Sequence, residues 1–483
     1  MNDYRLEKDF LGEIRVPYSA FYGSFTVRAL ENFNISGLRI GGEFTKALAM
    51  VKLASVRANN QLELLDDSRS EAIVEAAKEV IGGKYGDAFP LDVFQAGAGT
   101  PWNMNINEVL ANRANQLLGS SLGRYAPVHP NDHVNMSQSS NDVIPTATRI
   151  TILGLSRKLK EELHRLELTL LGKSRQFRNL IKSGRTHYRD AVPITLGQEF
   201  KAYASAIKHG SERIETAEKE MRGVVVGGTA VGTGINTHPE FAKVCLGYLN
   251  ELTNLDLRLA PDFIEKTQFT SDFLRYFDGL SELCSDLIKI NNDLMLLSSG
   301  PMTGLNEITL PSVEPGSSIM PGKVNPSIIE SLNMVCFQVI GNREAVANAV
   351  KFGSLDLNVY LPLIAFNADN SLHWLTSAVK NLNEKCVVEI TANKETTHHY
   401  YLNSNAFATA ISPIIGYDKA AELAKEAEAQ RKTVVELVVG KELLSKKELL
   451  ELEKAVTKPD IGFVEKIRRV HEKNPKKSHA GNF

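Results

Sequence analysis

The sequence predicts a mainly α-helical protein built around a bundle of long helices. Six aliphatic residues recur at steps of three and four between Ile152 and Leu170, with Lys, Arg and Glu between them. This spacing places one apolar stripe along a helix. A second stripe runs from Phe273 to Leu294 with the spacing of a coiled-coil seam. Because such faces must be buried against one another, the middle of the chain is expected to form a helical bundle.

The other elements follow in order along the chain. The first third is expected to hold short helical segments joined by loops at 95–107 and 126–145, where Gly, Pro and Asn are dense. Further helices are predicted over 198–221, 328–349 and 363–382, and then over 419–430, 434–439 and 446–452. The last stretch, 466–483, is basic and polar and is expected to be a solvated tail.

Length and composition limit the architecture and the partners. A chain of 483 residues allows about three structural units, which we expect at 1–138, 139–395 and 396–483. The net charge of −2 and the isoelectric point near 6.6 favour neither nucleic acid nor a membrane surface as a partner. The first residues lack an apolar signal core, and no run approaches the roughly 18 apolar residues of a membrane-spanning helix. A cytoplasmic location is expected.

The cysteines give no metal or redox pattern. Cys245, Cys284, Cys336 and Cys386 are far apart in sequence, lie in apolar surroundings and have no histidine at ligand spacing. We therefore expect reduced cysteines in the core and no metal site.

The segment 316–326, Gly-Ser-Ser-Ile-Met-Pro-Gly-Lys-Val-Asn-Pro, is predicted to be an anion-handling catalytic loop. Its glycines permit close approach of the backbone, and its prolines prevent a helix from running through it. Lys323 offers a point charge suited to a carboxylate, and Asn325 adds an amide donor. The hydroxyl groups of Ser317 and Ser318 lie at its start.

Three other irregular segments carry groups suited to an anion or a proton transfer. Ala96 to Thr100 is glycine-rich and ends in a hydroxyl, although such a run is weak evidence for a nucleotide site. Ser139, Ser140 and Asn141 precede the first long helix, where they are equally well explained as N-caps. Thr186 and His187 lie in a predicted loop, and a histidine there is a candidate acid or base.

Together these groups suit elimination from a small dicarboxylate. Removal of a proton beside a carboxylate creates an aci-carboxylate, and preorganised donors stabilise such a charge by on the order of 3 kcal/mol each. Ser317 acts as the base only if backbone N–H groups hold its alkoxide. In the alternative, His187 is the base, and Glu330 fixes the tautomer of its imidazole ring.

These blocks together resemble the aspartase/fumarase superfamily. The loop at 316–326 is similar to its signature, and segments 138–142, 184–187, 227–236 and 299–304 match its other blocks in order over essentially the whole chain. The resemblance implies a three-domain helical protomer whose long helices form the twenty-helix core of a homotetramer. Each active site is then built from three chains. It also implies reversible anti-elimination from a C4 dicarboxylate or a fumaryl compound, giving fumarate without an organic cofactor.

The resemblance also assigns roles to the candidate residues. Ser317 becomes the general base on a mobile loop, and His187, supported by Glu330, becomes the acid/base or leaving-group residue. The implied substrate contacts are Lys323 and Asn325 on one carboxylate, together with Thr100, Ser139, Ser140, Asn141, Thr186 and Ser318.

Two activities of the superfamily differ in their leaving group, which is ammonia in one and water in the other. Ammonia needs little acid help to leave, whereas hydroxide needs a proton donor, and His187 with Glu330 is compatible with either. The segments that look typical of fumarate hydratases are 129–132, 139–141 and 227–229. Those that look typical of aspartases are Ala98, 196–200, 304–307, 335–337 and 390–395.

We predict an aspartate ammonia-lyase, with a class II fumarate hydratase as the alternative. A non-catalytic scaffold is less favoured because Ser317, Lys323 and Asn325 are all present. Three departures bear on specificity more than on reaction class: Met302 where relatives usually carry Arg, Pro-Trp after Thr100, and Tyr-Arg after His187.

Overall fold

The computed structural model describes residues 3–453, 455–459 and 461–472. Within them the chain is mainly helical, with short two-stranded sheets. The first third contains strands β1 (Tyr4–Asp9) and β2 (Gly12–Pro17) and helices α1 (Ser24–Asn32), α2 (Gly42–Gln61), α3 (Asp67–Ile81) and α4 (Thr100–Leu117).

The middle of the chain contains the long helices. In order, it comprises α5 (Ser140–Gln176), β3 (Ile181–Thr186), β4 (Arg189–Thr195), α6 (Leu196–Met221), β5 (Gly223–Val224), α7 (Phe241–Thr253), β6 (Arg258–Leu259), α8 (Phe263–Gln268), α9 (Ser271–Leu297), β7 (Ile308–Thr309), α10 (Ser327–Lys351), α11 (Leu361–Lys385) and β8 (Thr391–Ala392). Both predicted apolar stripes are buried, from Ile152 to Leu170 on α5 and from Phe273 to Leu294 on α9. The predicted long helices are therefore confirmed.

Shorter helices close the chain. They are α12 (Lys394–Asn403), α13 (Ala406–Ile415), α14 (Tyr417–Gln430), α15 (Val434–Gly440), α16 (Lys446–Glu453) and α17 (Ile461–Glu472). The three helices predicted in this region are confirmed. The first part of the predicted solvated tail, residues 466–472, is helical and belongs to α17, with Lys466, Arg468 and Arg469 exposed. Its remainder lies outside the described residues.

The predicted loops at 95–107 and 126–145 are also partly wrong. Helix α4 begins at Thr100, with Pro101 in its first turn, where a missing N–H group costs nothing because the first N–H groups of a helix have no intrahelical partner. Helix α5 begins at Ser140 and contains Pro145. Proline and asparagine therefore lie in the first turns of helices here. The density of these residues in the sequence does not distinguish the start of a helix from a loop.

The described chain forms two compact units. The first contains 1–162, 209–286 and 333–379, and the second contains 163–208, 287–332 and 380–483. In the first unit, α2 packs against α3 and α7. In the second, residues of α12 to α16 bury a separate apolar cluster that includes Tyr401, Phe407 and Val438. The division into three sequential domains stays a prediction.

One group of buried charges in the first unit is paired. Arg149 is fully buried, and its Nη2 lies 2.8 Å from Asp272 Oδ2, while Lys266 Nζ lies 2.7 Å from the same oxygen. The guanidinium also lies 4.5 Å from the centroid of the Phe273 ring. Two cations on one carboxylate offset the cost of burial, which would be several kcal/mol for an unpaired ion.

The four cysteines are free and buried, as predicted. No group of three or more His, Cys, Asp or Glu that suits a metal ion occurs among the described residues. None of the helices that the structure describes is long and apolar enough to cross a membrane.

Candidate active site

The segment before α4 is held tightly enough to require glycine. A Cβ at Gly97 would lie 2.8 Å from Val359 Cβ, and one at Gly99 would lie 3.1 Å from Ile144 Cγ1. Ala98 and Gly99 have positive φ angles of 59° and 73°, which favour glycine. This bend places Thr100 as the first residue of α4, half-buried at the positive end of the helix.

The start of α5 combines capping with side-chain links. Ser139 Oγ accepts a hydrogen bond from Asn141 N at 3.2 Å, and Ser139 N donates to Asp142 Oδ1 at 3.0 Å. Asn141 Nδ2 donates to Ala230 O at 2.7 Å, and Thr229 N donates to Asp142 Oδ2 at 2.9 Å. Ser139 therefore does behave as an N-cap. The same bonds fix the start of α5 against the 229–230 turn.

A pocket of about 370 Å³ opens beside these residues. We call it the serine pocket. It is lined by Asn103, Met104, Asn135, Ser137, Gln138, Ser139, Ser140, Thr229, Ala230, Ile235 and Asn236. Two of its polar atoms, Asn103 Oδ1 and Thr229 Oγ1, are buried and have no hydrogen-bond partner among the described residues. Such atoms are costly unless a ligand or water satisfies them. The predicted residues Ser139 and Ser140 thus face a polar recess large enough for a small acid.

Lys52 contacts the polar residues of this pocket and was missed by the sequence analysis. Its side chain is fully buried, and its Nζ donates to Asn135 Oδ1 at 3.0 Å and to Gln138 Oε1 at 2.9 Å. Burial lowers the pKa of Lys52 to about 7, against the opposing effect of Asp142. Burial likewise raises the pKa of Asp142 to about 7. A lysine inside the apolar run of α2 was the signal available in the sequence.

In the second unit, Thr186 and His187 lie at a hairpin tip. Thr186 ends β3 and pairs with Arg189 of β4, so the loop consists of His187 and Tyr188 alone. Both have positive φ angles, 54° and 56°, as a tight type I′ turn requires. The predicted loop at 184–187 is therefore largely strand. Left-handed conformations at two side-chain-bearing residues cost energy and often mark functional positions.

The base of this hairpin is fixed by buried charges. Lys182 Nζ lies 2.8 Å from Glu199 Oε1 and 2.9 Å from Glu307 Oε2. Arg185 Nη2 lies 2.8 Å from Glu307 Oε1, and its guanidinium lies 5.6 Å from the centroid of the Tyr400 ring. Because Lys182 and Glu307 are almost completely buried, these pairs are little screened by solvent. They support the strand that ends in Thr186.

The loop at 316–326 is shaped by its own hydrogen bonds. Ser317 Oγ accepts from Ile319 N at 3.2 Å and from Met320 N at 3.0 Å. Asn325 Nδ2 donates to Gly316 O at 2.6 Å, and Gly316 N donates to the carbonyl oxygen of Lys323 at 2.9 Å. The side chains of Ser318 and Lys323 are exposed. Two backbone N–H groups thus converge on the oxygen of Ser317.

Glu330 lies in the first turn of α10 and is exposed, as is His187. No hydrogen bond or ion pair joins them in the part of the chain that the structure describes. The relay between His187 and Glu330 therefore stays a prediction.

The chain is similar to proteins of known family. A family model described as Lyase matches residues 12–341, and one described as Fumarase C C-terminus matches residues 407–455. This chain belongs to the aspartase/fumarase superfamily. A class II fumarate hydratase of Halobacterium salinarum is 48% identical over 451 residues, 93% of this chain and 96% of its own. An aspartate ammonia-lyase of a Bacillus species is 44% identical over 450 residues, with the same two coverages.

The fold is shared as well. A fumarate lyase/delta-crystallin structure from Brucella melitensis superimposes with a TM-score of 0.91 at 44% identity, covering 94% of this chain and 100% of that one. The resemblance stated from the motifs and the mainly helical superfamily fold are confirmed. Because the superfamily relatives are named for two lyase activities, this chain is a lyase. Those names do not resolve its substrate.

The departures from the superfamily pattern fall in different environments. Trp102 is buried in α4, with its ring centroid 5.0 Å from that of Phe44. Its side chain therefore packs in the hydrophobic core. Tyr188 and Met302 are 87% and 91% exposed. Nothing in the structure explains Met302.

Proposed function

We propose that this lyase catalyses the reversible anti-elimination of ammonia from L-aspartate to give fumarate. Ser317 is the general base, and the reaction passes through an aci-carboxylate intermediate. The observation that carries the proposal is the pair of backbone N–H groups that point at Ser317 Oγ. An ordinary serine hydroxyl is a poor base, but donors fixed in place stabilise its alkoxide.

The donors of the site form two sets, and each set binds one carboxylate of the substrate. In the first unit, Thr100, Ser139, Ser140 and Asn141 are neutral donors suited to one carboxylate. In the second, Lys323 on the loop and Thr186 on the hairpin add charge and a hydroxyl for the carboxylate that accumulates negative charge, with Asn325 and Ser318 beside them. Loss of a proton from the carbon next to that carboxylate doubles its charge, so these donors act most strongly in the transition state.

The surroundings of His187 favour ammonia as the leaving group. The hairpin that carries His187 rests on Lys182, whose partners Glu199 and Glu307 belong to the two segments of aspartase character at 196–200 and 304–307. Ammonia leaves with little acid help, so an exposed His187 with no bond to Glu330 suffices. Cytoplasmic amino-acid metabolism is the setting that fits this reaction.

Class II fumarate hydratase is the second candidate. It is favoured by the Ser-Ser-Asn segment at 139–141 and the turn at 227–229, both of hydratase character, which meet through Asp142 and Thr229 at the serine pocket. In that reaction hydroxide leaves, and His187 must donate a proton.

A rate comparison in the elimination direction separates the two. We expect fumarate to form from L-aspartate with a kcat/KM at least about 10²-fold above that from L-malate, since a site built for one leaving group leaves polar groups unpaired with the other. The measurement is the initial rate of fumarate formation from each substrate by one preparation. A ratio in favour of malate identifies the hydratase instead.

We also propose a homotetramer whose active sites each combine three chains. Large apolar side chains are exposed on the long helices, namely Leu168 (54%), Leu296 (40%), Met334 (64%), Phe337 (58%) and Trp374 (38%). Exposed apolar surface of this kind marks an interaction face.

Mass measurement tests the assembly. We expect a particle about four times the 53.3 kDa protomer, because burial of these side chains drives association. A Phe337→Glu variant should give smaller species with little turnover, whereas Leu450→Glu, at an exposed leucine of α16, should assemble normally. A monomeric wild type with full activity contradicts the shared site.

A further inference from the structure

Lys52 contributes to the orientation of two amide side chains. A protonated lysine has three N–H donors and no acceptor, and Lys52 Nζ lies within 3.0 Å of Asn135 Oδ1 and Gln138 Oε1. Both amides must therefore turn their oxygen atoms toward it. Their nitrogen atoms are placed consistently, since Asn135 Nδ2 donates to Gln138 O and Gln138 Nε2 donates to Val134 O and Met136 O.

The orientation of Asn135 in turn fixes the orientation of the Asn103 amide. Asn135 Oδ1 accepts from Asn103 Nδ2 at 3.1 Å and from Asn107 Nδ2 at 3.2 Å, in addition to Lys52. If Asn103 were flipped, its oxygen would face another oxygen. Its amino group is therefore fixed on this side, and its second hydrogen is directed to Ser140 Oγ at 3.1 Å.

Ser140 consequently receives a hydrogen bond on its oxygen. A hydroxyl group has one hydrogen and two acceptor sites, so the hydrogen of Ser140 is left to donate in another direction. Ser140 is 8% exposed and lines the serine pocket. The chain from Lys52 through Asn135 and Asn103 thus presents an O–H donor to whatever occupies that pocket, and a carboxylate is an acceptor-only group.

We infer that Lys52 is a positioning residue, which acts through Asn135 and Asn103 to hold Ser140 as a hydrogen-bond donor to a substrate carboxylate in the serine pocket. This inference rests on the proposed function, in which Ser140 contacts the dicarboxylate. Without the ammonium group, Asn135 loses its charged donor and is held only by its bond to Gln138 O and by the amides of Asn103 and Asn107. A flip of Asn103 then costs less, and in the flipped state Ser140 donates to Asn103 Oδ1 in place of substrate. Binding of the carboxylate weakens while the chemical step at Ser317 is spared.

The test is a double-mutant cycle between Lys52→Met and Ser140→Ala. Each single variant should raise KM for the C4 dicarboxylate by roughly tenfold to a hundredfold, the loss expected for one hydrogen bond to a charged group. The change in kcat should be small. In the double variant the effects should not add, because both changes remove the same bond.

Two further variants keep the test decisive if Lys52→Met folds poorly. Asn103→Ala interrupts the chain without touching the buried charge and should show the same non-additivity with Ser140→Ala. Lys173→Met is the matched control, since Lys173 is also buried and donates to Ile390 O at 2.7 Å outside this pocket. It should leave KM unchanged.

The outcomes distinguish failure of the proposed function from failure of the positioning role of Lys52. If the wild type converts neither aspartate nor malate, the proposed function fails. If it does turn over but the effects of Lys52→Met or Asn103→Ala add fully to that of Ser140→Ala, the positioning role is wrong while the function stands. A fall in kcat without a change in KM, or Ser140→Ala without effect, also overturns the inference.

Discussion

Replacing Ser317 by alanine is expected to lower kcat by about 10²–10⁴-fold, the range attributed to a positioned general base. The reason is geometric. Ile319 N and Met320 N donate to Ser317 Oγ, and without that oxygen they have nothing to stabilise. The two ends of the loop should stay joined, because the bonds of Asn325 to Gly316 and of Gly316 to Lys323 do not involve the hydroxyl.

The control for Ser317→Ala is Ser318→Ala. Ser318 lies on the same loop with an exposed side chain, and its loss should cost about tenfold, as expected for one substrate hydrogen bond. Steady-state turnover and the thermal unfolding midpoint are measured for both variants. Full activity in Ser317→Ala with His187 intact would show that His187 is the base, the alternative that the sequence left open.

Replacing Lys323 by methionine should have the second largest effect. Its side chain is exposed on the loop, and it is the cation we place on the carboxylate that becomes doubly charged. Removal of one preorganised donor from a developing oxyanion costs about 10²–10³-fold in kcat, and loss of the full charge also raises KM. Steady-state kinetics of Lys323→Met give both parameters.

Two further variants define what Lys323 contributes. Lys323→Arg should recover only part of the activity, because a planar guanidinium does not reproduce a compact ammonium group. Lys243→Met removes another exposed lysine, which lies 3.8 Å from Glu240, and should leave turnover unchanged. A Lys323→Met enzyme with wild-type kcat contradicts the assigned role.

The sequence predicted those features whose signal is local. Periodic apolar residues from Ile152 and from Phe273 fixed the long helices, since burial of one face repeats with the turn of the helix. The loop at 316–326 was recognisable from its residue types. Residue types identify Thr100 but not the helix that it begins, because Pro101 is as compatible with a first turn as with an irregular segment.

What the sequence did not reveal depends on contacts between distant residues. Lys52 and Asn135 are 83 positions apart, and no spacing rule connects them. The hairpin tip at His187 and Tyr188 lacks the Asn-Gly or Asp-Gly pair that usually announces such a turn. The site residues also lie in two compact units of the chain, so local patterns identify the parts without giving their arrangement.

Elimination of ammonia from a C4 dicarboxylate is reversible, so the products formed from fumarate reveal the natural leaving group. The enzyme is supplied with fumarate in the presence and in the absence of ammonium, and aspartate and malate are quantified. We expect aspartate to accumulate only with ammonium and little malate to form in either case. Malate formed without ammonium at a comparable turnover contradicts this expectation and identifies water as the natural partner of this site.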